Sequence, residues 1–354
     1  MYAPSPQPPV SDAGHKSCGG QKLHPTRTSL IEAGRNLVRK IRHLKRAAVV
    51  ANTMDQSLAG QTVLITGASS GTGRILAQDC AIRGARVLLA CRNRKAGEEA
   101  ERQILTLNHN ADLTVYQLDL SSFASVRSFS ETIMESEEKV DLLIHNAATM
   151  SDVRIETEDS HELTIQVNFL SPVMLTMLLF DYMTKCSADP RIIFVSSLFH
   201  GFSKDLFLKD MEWKYFPSFH PHQVFAHSKL ALMLFVRELS HRADSRNVRV
   251  YAVDTGIPLK SVTKHFSGSL SGKIVIKTLQ PFTRTEEEAA ESIFSVVLME
   301  KYCHNSDVYY FRDGKEVPVS RVAQNDEKAA ELWNYVRNLL DLTPMDMLTI
   351  ISNV

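Results

Sequence analysis

The chain carries no excess of either charge, with 40 Lys and Arg against 40 Asp and Glu over 354 residues. With no global field to draw it to nucleic acid or to an acidic partner, no nucleic-acid function is expected and recognition falls to a local site. Cysteine is sparse and unpatterned. Cys18, Cys80, Cys91, Cys186 and Cys303 are odd in number and form no C-x-x-C pair, which argues against a disulfide framework or a zinc site. No metal is therefore expected, and a reducing, cytoplasmic compartment is the default. No apolar run is read as long enough to cross a bilayer, and the N-terminus lacks the apolar stretch of a secretory signal. What is abundant is core-forming material: 44% of residues are hydrophobic, enough for one large globular domain or two small ones.

The N-terminal part divides in two. Residues 1–27 are rich in Pro, Ser and Gly and nearly free of large apolar side chains, so burial cannot offset their ordering entropy and they are expected to be disordered. Residues 28–58 open with Ser29-x-x-Glu32, a capping-box signature. Leu30, Leu37, Ile41, Leu44 and Ala48 follow at helical spacing, with Arg35, Arg39, Lys40, Arg42, Lys45 and Arg46 on the remaining face. A basic amphipathic helix of this kind has two readings. It either touches an anionic intracellular membrane peripherally through residues 29–50, or packs on the domain with its basic face in water. Residues 59–342 form the main domain, and 343–354 a tail.

From residue 61 a regular pattern sets in. "TVLIT" (62–66), "ARVLLA" (85–90), "LTVYQL" (113–118), "DLLIH" (141–145), "RIIFVS" (191–196) and "VRVYAV" (248–253) are short apolar or β-branched runs separated by longer segments of helical character. Such alternation predicts a doubly wound α/β domain: a parallel, Rossmann-like sheet between two helical layers. "VYYF" (308–311) is expected to be the last strand, followed by an amphipathic helix carrying Trp333.

The first strand runs into "TGASSGTGR" (66–74). Gly67, Gly71 and Gly73, with Ser69, Ser70 and Thr72 among them, stand where a strand turns into a helix. Missing Cβ atoms there let a pyrophosphate approach the helix N-terminus, so a dinucleotide cofactor is expected. The second strand bears on which one. An NAD site usually offers an acid near its end, whereas this chain reads Cys91-Arg92-Asn93-Arg94-Lys95. A cation suits a 2′-phosphate, so NADP is expected, with Arg92 as its contact.

The glycine pattern, "LDL" (118–120), "HNAAT" (145–149), "VNFLSP" (167–172), "VSS" (195–197) and "FAHSK" (225–229) together resemble a short-chain dehydrogenase/reductase over roughly residues 60–340. "LLACRN", "QPFTR" and "AAELWNYVRNLL" resemble the retinol-dehydrogenase branch, and within it most closely the catalytic domain of the WW-domain-containing oxidoreductases. The first 60 residues contain no paired-Trp module, so WW-mediated partners do not carry over.

The resemblance implies roles for matching residues. Asp119 would bond the adenine, and Asn146 would line the nicotinamide side of the fourth strand. Asn168 would hold the water of a proton relay, and Ser197 would hold the substrate oxygen. Lys229 would bind the nicotinamide ribose and lower the pKa of a tyrosine one helical turn earlier. Thr255-Gly256 stands where the family commonly has Pro-Gly, at the loop over the nicotinamide. A homodimer is implied too, since family members commonly pair through their fourth and fifth helices.

The general-acid tyrosine itself is Phe225. A phenyl ring keeps the packing volume but moves no proton, and such groups typically contribute ~10²- to 10⁴-fold in rate. Tyr215, His220, His222 and His227 are the nearby candidates to replace it, although His227 is expected to point away from Lys229. Two functions follow. One is an NADP-dependent oxidoreductase on a hydrophobic alcohol or carbonyl such as a retinoid, steroid or fatty aldehyde. The other is a pseudo-oxidoreductase that binds dinucleotide and acts through protein or membrane contacts. Val262, Phe266, Leu270, Ile274, Ile276 and Leu279 either line a lid for a lipid-like substrate or simply pack.

Overall fold

A computed structural model describes residues 57–216, 218–244, 246–258, 283–299 and 309–340. The N-terminal readings, the lid apolar residues 262–279 and the tail lie outside the described residues.

Eight strands form one sheet. In chain order they are β1 (Thr62–Thr66), β2 (Arg86–Cys91), β3 (Asp112–Gln117), β4 (Leu142–His145), β5 (Arg191–Ser196), β6 (Arg249–Asp254), β7 (Tyr310–Arg312) and β8 (Lys315–Glu316). Their order across the sheet is β8-β7-β6-β5-β4-β1-β2-β3. All pairings are parallel except β7 with β8, a hairpin that closes one edge. Between them run α1 (Gly71–Ile82), α2 (Arg94–Leu107), α3 (Phe123–Ser136), α4 (Leu163–Cys186), α5 (Pro221–Asp244), α6 (Glu286–Val297) and α7 (Asp326–Leu339).

Alternation along the strands feeds two cores. Leu64, Leu143, Ile192, Phe194 and Ala252 join the layer built on α3, α4, α5 and α7. Val63, Ile65, Ile144, Ile193 and Val253 join the layer of α1, α2 and α6. The helix starts follow local chemistry. Asn93, Ser122 and Asn325 each accept a backbone N–H of the first turn, and Thr285 with Glu288 makes a reciprocal capping box on α6.

One sequence expectation is corrected. α4 spans 24 residues with a mean hydropathy of 1.7 in its most apolar window, which is long and apolar enough to cross a bilayer by length and composition. Of that window, 83% is buried inside the domain. A central helix covered on the sheet side and by neighbouring helices is apolar all round, and such a helix passes the same test as a membrane span. Residues Gln166–Leu170 of α4 form a π turn. Pro172 explains its position: the ring has no N–H and collides with the carbonyl four residues back, so the helix widens just before it.

Phe235 of α5 ties the first layer together. Its ring meets Phe169 and Phe194 edge-on and stacks on Trp333 at 5.6 Å. Phe235→Ala should destabilise the fold by about 3–5 kcal/mol, read as a lower urea midpoint at unchanged m-value. A shift under about 1 kcal/mol would mean that the cavity collapses around the missing ring.

Candidate active site

Strand order reverses at β1, whose neighbours are β2 and β4, and the crevice beyond the strand ends there is where open α/β sheets bind ligands. At that crevice the ends of β1 and β4 are laced. Thr66 Oγ1 accepts the backbone N–H groups of Asn146 and Ala147, each at 3.1 Å. Asn146 Nδ2 donates back to the carbonyls of Thr66 at 3.0 Å and Gly67 at 3.4 Å. Gly67 and Gly71 hold φ of +70° and +55°, and a Cβ on Gly73 would collide with Gly67 O and Asn146 Nδ2. Only glycine fits this turn. Ser70, the exposed N-cap of α1, makes no side-chain capping bond, and Ser69 and Thr72 are half-buried. The result is a cradle with α1's first-turn N–H groups at its mouth, which fits a pyrophosphate. Asn146 is thus a brace of the cradle. Glu286, at the start of α6, places its carboxyl beside Gly71, with Oε1 3.3 Å from where a Cβ would stand. Only packing brings this acid there, from a part of the chain far from Gly71 in sequence.

Arg92 stands exposed at the end of β2, with no hydrogen bond or ion pair among the described residues. Arg94 is paired with Glu98 at 3.0 Å. Asp119 accepts from Ser121 N and Oγ through Oδ1, at 2.9 and 2.6 Å, which holds the turn after β3.

The other predicted residues gather along β5, α4 and α5. Ser197 follows β5 directly and caps the short 3₁₀ helix Leu198–Phe202, its Oγ accepting Phe199 N–H at 3.3 Å. Asn168 lies in the π turn of α4, where its amide clasps the backbone of Thr149, accepting at 2.7 Å and donating at 2.8 Å. Nδ2 also donates to Ser228 Oγ at 3.2 Å, and that hydroxyl donates to Phe225 O at 2.8 Å. Lys229 is 3% exposed, and its Nζ donates to Val195 O at 2.9 Å. Burial pulls its pKa down to about 8. One turn away the Phe225 ring centroid lies 5.7 Å from Nζ. Phe225 in turn meets Phe199, which packs on the exposed Phe202, so the wall beside Lys229 is aromatic.

None of the four candidates takes the place of the absent hydroxyl. Tyr215 is 83% exposed and lines a separate open groove with Leu206, Phe216 and Lys328. His220 pairs with Ser218 at 2.7 Å, and His222 is exposed. His227 is fully buried against Met211, Trp213 and Phe207, away from the site as expected.

Two further features were not legible in the sequence. His200 accepts Ser320 N–H at Nε2, 3.0 Å, so Nδ1 carries the ring hydrogen and donates it to Ser197 O at 2.7 Å. The imidazole couples the Ser197 turn to the C-terminal segment. Beside it, Thr255 is 6% exposed, following the fully buried Asp254. Asp254 pairs with Arg312 and accepts Gly256 N–H at 2.8 Å, while Arg284 packs over Gly256 and forks Asp313 with two 2.6 Å bonds.

The model for the short chain dehydrogenases matches residues 61–204. Retinol dehydrogenase 12 of Homo sapiens is 36% identical over 286 residues, covering 80% of this chain and 88% of that protein. The chain belongs to the short-chain dehydrogenase/reductase family. Retinol dehydrogenase 13 of Mus musculus is 32% identical over 289 residues, covering 81% of this chain and 85% of that protein. Among solved structures, a putative uncharacterized protein from Mycobacterium paratuberculosis shares 29% identity at a TM-score of 0.61, covering 80% of this chain and 95% of its own. A putative gluconate 5-dehydrogenase from Beutenbergia cavernae with bound NADP, at 21% identity and a TM-score of 0.55 over 72% of this chain and 95% of its own, shows the shared fold.

Three histidines of this short-chain dehydrogenase are buried in neutral form. Desolvation lowers His145 to about 3, His227 to about 4, and His200 below the usual histidine value. The unfolded chain takes up these protons near 6.5 and the folded chain does not, so their contribution is intact above that pH and lost as pH falls toward 4. The urea midpoint should therefore drop between pH 7 and pH 5, less steeply in His227→Gln. Equal midpoints at both pH values would contradict this.

Proposed function

We propose that this chain is an NADP(H)-binding oxidoreductase that interconverts CH–OH and C=O groups on a hydrophobic substrate such as a retinoid, a steroid or a fatty aldehyde. The observation that carries this reading is the convergence of Ser197, Asn168 and Lys229 on one strand end and two helices, next to a glycine turn that leaves the first-turn N–H groups of α1 open to a pyrophosphate. Bound NADP(H) supplies or accepts the hydride. Gly67, Gly71 and Gly73, with Ser69, Ser70 and Thr72, would cradle its pyrophosphate. Arg92, exposed and without a partner among the described residues, would meet the 2′-phosphate. Asp119 would take the adenine through its second carboxyl oxygen, Lys229 the nicotinamide ribose, and buried Thr255 would border the nicotinamide. Phe199, Phe202 and Phe225 supply an apolar wall for the substrate. The names of the relatives, retinol dehydrogenases 12 and 13, support a hydrophobic alcohol or its carbonyl as the substrate class.

Phe225 supports the second reading, a dinucleotide-binding pseudo-oxidoreductase working through protein contacts. Pairing of two copies through α4 and α5, and peripheral attachment of a cytoplasmic protein to a membrane through residues 29–50, complete the proposal.

The deciding experiment is cofactor consumption by the purified protein against retinal, a steroid ketone and a medium-chain aldehyde, compared with Phe225→Tyr. Turnover by the native chain supports the enzyme. Turnover only in Phe225→Tyr supports the pseudoenzyme, and none in either overturns the oxidoreductase reading. In thermal melts NADPH should stabilise the protein more than NADH at equal concentration, and Arg92→Ala should remove that preference. An Arg92→Ala protein that keeps the full preference would place the 2′-phosphate elsewhere. Removal of residues 1–50 should release the protein from the membrane fraction; retention there would count against the amphipathic segment as the anchor.

A further inference from the structure

Carbonyl reduction needs a proton at the substrate oxygen, and at this site the ring that would ordinarily carry it is hydrocarbon. Among the described residues, the other ionisable groups around the site are committed. His200 on the 3₁₀ helix is locked neutral between Ser197 O and Ser320 N. His145 on β4 is buried against Phe194, with Nε2 donating to Thr176. Asp254 on β6 is paired with Arg312. On α5 itself His227 turns to Met211, and two turns on, Arg237 pairs with Asp326 of α7 at 2.7 Å.

Lys229 is different. It is buried, its described hydrogen bond is the one to Val195 O, and no carboxylate contributes to its electrostatics. An ammonium has three donors, so two N–H bonds remain for other acceptors. Val195 lies in β5, two residues before Ser197, so the ammonium is anchored on the strand that leads into the serine that would hold the substrate oxygen. Beside a tyrosine this charge would act by favouring the phenolate; beside Phe225, at 5.7 Å, it meets only a ring face.

We propose that Lys229 is itself the general acid and base of this site, giving a proton to the substrate oxygen during carbonyl reduction and taking it back during alcohol oxidation, directly or through one water. The inference rests on the oxidoreductase reading above. In reduction the carbonyl carbon takes a hydride from the reduced cofactor, its oxygen takes the ammonium proton, the alcohol leaves, and the neutral amine regains a proton from solvent. Charge and atoms balance without another reagent. Burial supports the role, because a lysine brought down to about 8 is still protonated at neutral pH yet releases its proton far more readily than a solvated one near 10.4.

The first test needs no turnover. ¹³Cε-lysine NMR of the full-length native protein without cofactor, with the Lys229 signal assigned by its loss in Lys229→Arg, should show one lysine titrating about 8. Titration of Lys229 with the surface lysines overturns the proposal. The second test uses the aldehyde assay. Reductive kcat/KM of the native protein should fall above the Lys229 midpoint. Lys229→Arg, which keeps the charge but cannot release its proton, should lose ~10²-fold or more in kcat measured at saturating NADPH, a loss that weaker holding of the ribose, read as a raised Kd, does not produce. A native rate indifferent to the Lys229 midpoint, or an active Lys229→Arg enzyme, overturns the assignment. Activity in Phe225→Tyr but not in the native chain overturns it while leaving the oxidoreductase site standing. Inactivity of both removes the oxidoreductase reading, and the assignment with it.

Discussion

The site depends on one hydroxyl. Thr66 Oγ1, 1% exposed at the end of β1, receives two backbone N–H groups from the chain leaving β4 and donates at 3.4 Å to Ile144 O. The two central strands are thereby held together at the point where their hydrogen-bond ladder has run out. Asn146 completes the knot from the other side by satisfying Thr66 O and Gly67 O. With these groups paired internally, the turn after β1 can be made from glycine without leaving buried carbonyls bare. The cradle at the start of α1 is a consequence of that knot.

A second set of contacts fixes the side of the crevice formed by α4, α5 and β5. The π turn forced ahead of Pro172 presents Asn168, whose amide joins the loop after β4 to Ser228 of α5. The next residue, Lys229, reaches across to β5. His200 and the Asp254–Arg312 pair then tie the ends of β5 and β6 to the C-terminal segment. Because the buried histidine is neutral and the buried aspartate is paired, this region carries its polar groups without an uncompensated charge. Lys229 is the exception, a buried cation with no counter-ion described, and such exceptions concentrate where chemistry is done.

The sheet was legible because its strands are short apolar runs buried on both faces, whose period and bounding turns survive in one dimension. "TVLIT" and "RIIFVS" match their strands end to end. The glycine turn at Gly67, Gly71 and Gly73 and the one-turn spacing of Phe225 and Lys229 on α5 were legible because a local motif carries them. α4 misled for the opposite reason. Its apolar length was broken to the eye by Thr164, Gln166, Asn168 and Ser171, all of which find partners or burial only in the fold. Tyr215 was a candidate on proximity in sequence alone, and the loop carries it outward.

The sequence by itself determined the alternation of strand and helix, the glycine turn, the cation after β2 and the absence of a hydroxyl at Phe225, because each is set by residue type over a few neighbours. The tertiary structure decided that Asn146 braces the turn, that Glu286 stands beside Gly71, that His200 couples Ser197 to Ser320, and that Lys229 is buried with no counter-ion among the described residues. Each of these brings together groups tens to hundreds of residues apart, and the solvation of a charge is a property of everything packed around it.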